Sequence, residues 1–102
     1  MRILVRGAGD LASGIIYKLV KCGFEVLALE VEHPSSIRRH VSFSEAVYHG
    51  ACQIEDVRAV RVDSVQQAEE IFAMHQAAVM VDPHADILKE QAFDVVVVAI
   101  LA

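Results

Sequence analysis

Apolar and polar positions recur along this chain with two different periods, and the changes of period divide it into strands and helices. Residues 3–6 form a short apolar run that ends in a charge, the first predicted strand. Residues 11–21 follow, with Leu11, Ile15 and Leu19 spaced by four and Ile16 and Val20 beside them, the apolar stripe of a helix that Gly23 stops. Residues 24–30 are apolar on both alternating faces through Val26, Leu27, Ala28 and Leu29, as a strand covered on two sides must be. Pro34 breaks that pattern, and the spacing of Ser42 and Glu45 predicts a capping box that opens a helix stopped by Gly50. Residues 51–54 and 57–62 read as strand pieces around the polar turn Glu55-Asp56. Ser64 with Gln67 caps a helix to about residue 76, and residues 79–81 make a buried strand. Asp82-Pro83 starts a short helix to about residue 91, and residues 95–100 make the last strand. Strands alternating with helices predict a three-layer α/β domain with a mainly parallel five-stranded sheet, in the order 3-2-1-4-5.

Composition narrows the picture. A chain of 102 residues, 55% of them hydrophobic, is expected to form one domain over 1–102 and needs no disulfide or metal to fold. Fourteen acidic against nine basic residues, net −5, argue against a nucleic-acid partner, whose phosphates draw on surplus Lys and Arg. Cys22 and Cys52 form no CxxC and are expected to be inert thiols in a reducing compartment. The apolar run after Met1-Arg2 is too short for a secretory leader, and residues 95–102 fall far short of the roughly 20 that span a membrane, so a soluble, cytoplasmic protein is expected. The five histidines are dispersed, with no metal-ligand spacing, and no nucleophile elbow is present, so no metal site and no catalytic residue is expected.

The strongest local signal lies between the first strand and the first helix, where Gly7-Ala8-Gly9-Asp10-Leu11-Ala12 matches G-x-G-x-x-A. In that pattern the first glycine makes a tight turn, the second lets a phosphate approach the backbone, and the third small residue lets helix and strand pack closely. The helix N-terminus supplies unpaired N–H groups and partial positive charge for an anion. Glu30 ends the second strand where this Rossmann-like arrangement places a carboxylate for a ribose hydroxyl. It can equally be an ordinary strand-end carboxylate. Asp10 departs from a plain dinucleotide site, since a carboxylate there repels a pyrophosphate unless it caps the helix or is paired. Arg6 stands where an apolar residue is usual, and either pairs with Asp10 or flanks a ligand carrying both negative and donor-rich parts. The doublet Arg38-Arg39 could clamp a second anion or form a solvated turn. Asp82 ends a strand at the same sheet edge and is sufficiently explained as a helix cap.

Three motifs together carry a resemblance. The run Arg6-Gly7-Ala8-Gly9-Asp10-Leu11-Ala12, the segment Ile37-Arg38-Arg39 with Val41-Ser42-Phe43 and Glu45-Ala46-Val47-Tyr48, and Val81-Asp82-Pro83 resemble the accessory proteins of selenium-dependent molybdenum hydroxylase systems, themselves distantly similar to xanthine dehydrogenase accessory factors. The resemblance implies a Rossmann-like domain acting in enzyme maturation, and gives candidate status to Arg6, Gly7, Gly9, Asp10, Arg38, Arg39 and Asp82. It also implies a longer protein. Where such proteins continue their last strand with an aspartate, Val98 stands here, which raises the expectation of a truncated domain or half of a complementing pair.

The combined expectation is a nucleotide- or molybdopterin-binding accessory protein, with Arg6, Gly7, Ala8, Gly9, Asp10, Leu11, Glu30, Arg38, Arg39 and Asp82 around a phosphate-containing ligand. NAD(P), another nucleotide and a molybdopterin-type cofactor all suit the loop. An NAD(P)-binding sensor or an oxidoreductase fragment is the alternative. The apolar last strand is expected to meet a second copy or a molybdoenzyme partner.

Overall fold

A computed structural model describes residues 1–31 and 42–99, Asp10 through its backbone alone. The elements run β1 (Arg2–Arg6), α1 (Asp10–Lys21), β2 (Glu25–Glu30), α2 (Glu45–His49), β3 (Ala51–Ile54), β4 (Val57–Arg61), α3 (Val65–Ala73), β5 (Ala77–Val81), a 3₁₀ turn (Asp86–Lys89) and β6 (Val95–Val98). They build a mixed α/β fold around a six-stranded sheet, order β3-β4-β5-β2-β1-β6, parallel except for the β3–β4 hairpin.

The expected order 3-2-1-4-5 is thereby corrected. Residues 51–54 and 57–61 are separate strands, and β5 inserts between them and β2 instead of flanking β1. The nine-residue α3 joins β4 to β5 directly, and so short a crossover favours a neighbouring parallel strand.

Strand alternation sends residues to two cores. Val5, Val26, Ala28 and Val79 face α1 and α2, with Ile16 and Phe43 packed on them. Leu4, Leu27, Leu29 and Met80 face α3 and the 3₁₀ turn, with Ile71, Phe72 and Ile87. β2 is buried on both faces, as its sequence predicts. Leu4 at 0% and Leu27 at 1% exposure each contribute roughly 2–3 kcal/mol of burial free energy.

Three helical expectations change. The buried stripe of α1 is Ala12, Ile16 and Val20, while Leu11 is 63% exposed. The methyl of Ala12 lets the helix come close to the sheet, and this rotation turns Leu11 outward. The α2 segment begins later than its predicted capping box: Ser44 precedes it without a side-chain cap, and the Ser42 hydroxyl pairs with that of Ser44 at 2.6 Å. After Pro83 only the 3₁₀ turn forms, because Ala85 takes a left-handed φ of 55° and interrupts the helix that Asp82-Pro83 would open. Gly50 (φ 82°) and the Ser64 cap behave as expected.

The last strand differs most. Val95, Val96 and Val98 are 39%, 44% and 64% exposed, although four consecutive valines predict burial on both faces. β6 is an edge strand, paired only with β1 among the described residues. No helix among the described residues is long and apolar enough to cross a membrane.

Candidate functional site

The site is built where β1 hands over to α1. Gly7 adopts φ 115°, a backbone that side-chain-bearing residues rarely enter, and its N–H donates to Leu29 O at 2.7 Å. Next, Ala8 N–H donates to Glu30 Oε2 at 2.9 Å, and Val31 N–H donates to Glu30 Oε1 at 2.9 Å. Each carboxylate oxygen thus holds one backbone amide and keeps acceptor capacity for another donor. Glu30 therefore orders the glycine loop from the neighbouring strand.

The loop's other side is tied down by groups the sequence did not single out. The Ser13 hydroxyl donates to Ala8 O at 3.0 Å and accepts from Phe43 N–H at 2.9 Å, while Ser44 N–H also donates to Ala8 O. Ser13, Ser42 and Ser44 are buried, and Phe43 is fully buried beside them. A polar residue directly after Ala12, on the face that helix packing buries, is the signal that could have found Ser13.

At the helix start the first α1 bond runs from Ser13 N–H to Gly9 O, and Gly9 offers no side-chain cap. The N–H groups of Gly9, Leu11 and Ala12 have no acceptor among the described residues. Gly9 itself has φ −72°, open to any L-residue, and a Cβ there would meet no atom within 4 Å. Among the described residues, nothing requires glycine at that position.

Arg6 ends β1 beside this loop, half-buried, with no hydrogen bond or ion pair from its side chain among the described residues. Asp82 reaches the same edge, its N–H donating to Glu30 O at 3.0 Å. Its carboxylate accepts from Asp86 N–H and Ile87 N–H, both at 2.9 Å, so it steadies the start of the 3₁₀ turn from four residues before instead of capping a helix opened by Pro83. Arg38 and Arg39 lie outside the described residues, as does the Asp10 side chain.

A cleft of about 580 Å³ opens further along this edge, between the ends of β4 and β5, and the glycine loop is not part of it. Its rim carries Asp63, Asp82, Asp86 and Glu90. Arg61 also lines it, but its guanidinium donates to Val47 O at 2.7 Å. The carboxyl edge is therefore acidic on the β4–β5 side and offers amides and Arg6 on the β1 side.

Chain direction matters here as well. From β1 and β2 the chain moves toward β3, over the α1–α2 face; from β4 and β5 it moves toward β6, over the α3 face. The connections leaving β5 and β2 cross each other on opposite faces, so their carboxyl ends present Glu30 and Asp82 side by side; the descending order β5-β2-β1 turns back at β6, beside β1 and Gly7, which is where open α/β sheets of this kind bind ligands.

Comparison with known proteins adds one relative. No known family matches the chain, and no solved structure does. Over 100 residues it is 42% identical to an uncharacterized protein, YqeB, of Escherichia coli (strain K12). The match takes in 98% of this chain and 18% of that protein, so the chain spans under a fifth of its relative's length.

Proposed function

We propose that this chain is a Rossmann-like binding module for a small phosphate-containing ligand, a nucleotide or a molybdopterin-type cofactor, and that it serves as an accessory protein in the maturation of selenium-dependent molybdenum hydroxylases. The maturation role rests on the resemblance of its three motifs. The binding role is supported by one observation: at the Gly-x-Gly-x-x-Ala turn that opens α1, the N–H groups of Gly9, Leu11 and Ala12 find no acceptor among the described residues, and no Cβ at Gly9 stands between them and a ligand. The phosphate lies against the amides of Gly9, Leu11 and Ala12, which have no acceptor among the described residues, with Arg6 beside it. The acidic side of the edge takes the donor-rich part, a hydroxyl or amino group held by Glu30.

Thermal denaturation with NAD, NADP, AMP, CTP and molybdopterin tests this. A ligand at 100 times its Kd stabilises by about 2.7 kcal/mol. Gly9→Ala is expected to leave the free protein's Tm unchanged and abolish the ligand's shift. No shift with any of the five, or equal shifts in wild type and Gly9→Ala, would sink the reading. Stabilisation by NAD or NADP with hydride transfer to a carbonyl substrate would favour an oxidoreductase fragment instead.

A further inference from the structure

We propose that Ser13 is a positioning residue of the glycine loop, which aims the Gly9 amide at the bound phosphate and couples occupancy of the site to residues 42–44. The inference rests on the phosphate reading of that loop and deepens it.

The peptide unit between Ala8 and Gly9 spans the boundary between interior and surface, since Ala8 is fully buried and Gly9 is partly exposed. In a planar trans peptide the C=O and the N–H point in opposite directions. Ala8 O accepts from the Ser13 hydroxyl at 3.0 Å and from Ser44 N–H at 2.8 Å, so two donors hold it inward. Gly9 N–H is thereby turned away from them. Ser13 grips the next unit as well, its N–H donating to Gly9 O at 2.8 Å. One residue therefore orients the peptides on both sides of Gly9.

Glycine makes that hold necessary. Rotating ψ of Ala8 together with φ of Gly9 flips the unit between them while its neighbours stay in place, and glycine accepts either sign of φ. A flip would put Ala8 O where Gly9 N–H had been, and would set a carbonyl oxygen against the phosphate. The missing side chain that leaves room for a ligand thus also leaves the peptide in need of a lock from outside the loop.

The lock has a fixed polarity. Phe43 N–H donates to Ser13 Oγ at 2.9 Å, which leaves the hydroxyl's own hydrogen for Ala8 O. Dipoles run head to tail from Phe43 N–H through the hydroxyl and Ala8 C=O to Gly9 N–H. Phe43, Ser13 and Ala8 are all buried, and in such surroundings hydrogen bonds in a chain polarise one another. A phosphate that accepts from Gly9 N–H therefore strengthens the Phe43 bond at the far end of the chain. Reciprocally, losing the Ser13 link weakens the hold on the phosphate.

Amide proton–nitrogen spectra of the chain, titrated with inorganic phosphate and with AMP, test this. In the wild type the Gly9, Leu11 and Ala12 N–H signals should move as either probe binds, and the Phe43 N–H signal should move with the same midpoint. Ser13→Ala should raise the Kd by about tenfold, the scale of one hydrogen bond to a charged group, and should leave the Phe43 signal unmoved by saturating probe. Ser13→Thr keeps the hydroxyl and should restore both. A merely structural Ser13 would lower the Tm of the alanine variant and leave the Kd of its folded chain as in the wild type, and that result overturns the proposal. So does a wild-type titration in which Gly9 moves and Phe43 does not, a measurement that decides even where Ser13→Ala fails to fold. If neither probe moves Gly9, Leu11 or Ala12, the phosphate reading itself falls and the positioning role falls with it.

Discussion

Removing the Ser13 hydroxyl should loosen the glycine loop from the segment that supports it. Ser13→Ala deletes the donor to Ala8 O and the acceptor for Phe43 N–H. Ala8 O keeps the Ser44 N–H, but the Phe43 amide, beside a fully buried ring, loses its acceptor. Two net hydrogen bonds are worth about 2 kcal/mol, and a buried amide left without a partner brings the total to about 3 kcal/mol. In a domain of this size such a loss lowers Tm by more than about 10 °C. Urea unfolding at 25 °C followed by far-UV circular dichroism measures it, with an unchanged m-value showing that the folded state remains compact. A loss below about 1 kcal/mol would refute the claim that this hydroxyl, rather than apolar packing around Phe43, joins the loop to residues 42–44.

Other perturbations read out single features. Gly7→Ala forces a side chain into φ 115° and should cost about 1–3 kcal/mol in urea unfolding, in contrast to the tolerated Gly9→Ala. The hairpin clamp is sensitive to pH at both ends. The Lys21 ammonium and then the Tyr17 hydroxyl hold the Asp56 carboxyl down at about 2 from 3.8, so its stabilisation is full above about pH 4 and is lost as pH falls through 2. The Tyr17 hydroxyl, donating to Asp56, is pushed up to about 12 from 10.0, so its share is full below pH 10 and is lost as pH rises through 12. Asp56→Asn should flatten the acid limb in urea midpoints from pH 2 to 5, and should bring Tyr17 ionisation, followed by ultraviolet absorbance, back toward 10.

The elements were legible in the sequence because most depend on neighbours a few residues away. Period and punctuation place β1, α1, β2, the β3–β4 hairpin and α3 to within a few residues. Where a nonlocal contact decides, the local pattern fails. Leu11 belongs to a helical stripe by spacing, yet the small Ala12 sets the helix's approach and turns that stripe aside. Strand order is nonlocal throughout: β5 carries the same apolar signal whether it lies beside β1 or beside β2. Burial of β6 is also nonlocal, since it depends on what lies beside the strand.

The same distinction governs the site. Gly7 and Gly9 look alike in the sequence, and only their backbone angles separate them: one is glycine because the chain turns there, the other although no described residue requires it. Glu30 reads equally well as a ribose acceptor or a strand end, whereas its bonds to Ala8 and Val31 N–H make it a fixed part of the loop with acceptor capacity to spare. The corrected strand order adds a constraint that neither motif contains. With β5 beside β2, the carboxyl ends next to Gly7 on that side present Glu30 and then Asp82, so a ligand whose phosphate rests on the β1 loop and which extends across β2 meets carboxylates. Such an edge disfavours a second phosphate there and favours a ligand whose far end donates hydrogen bonds. Among the nucleotides to be tried, NAD should therefore bind more tightly than NADP, and equal affinity would show that the far end of the ligand does not lie against Glu30.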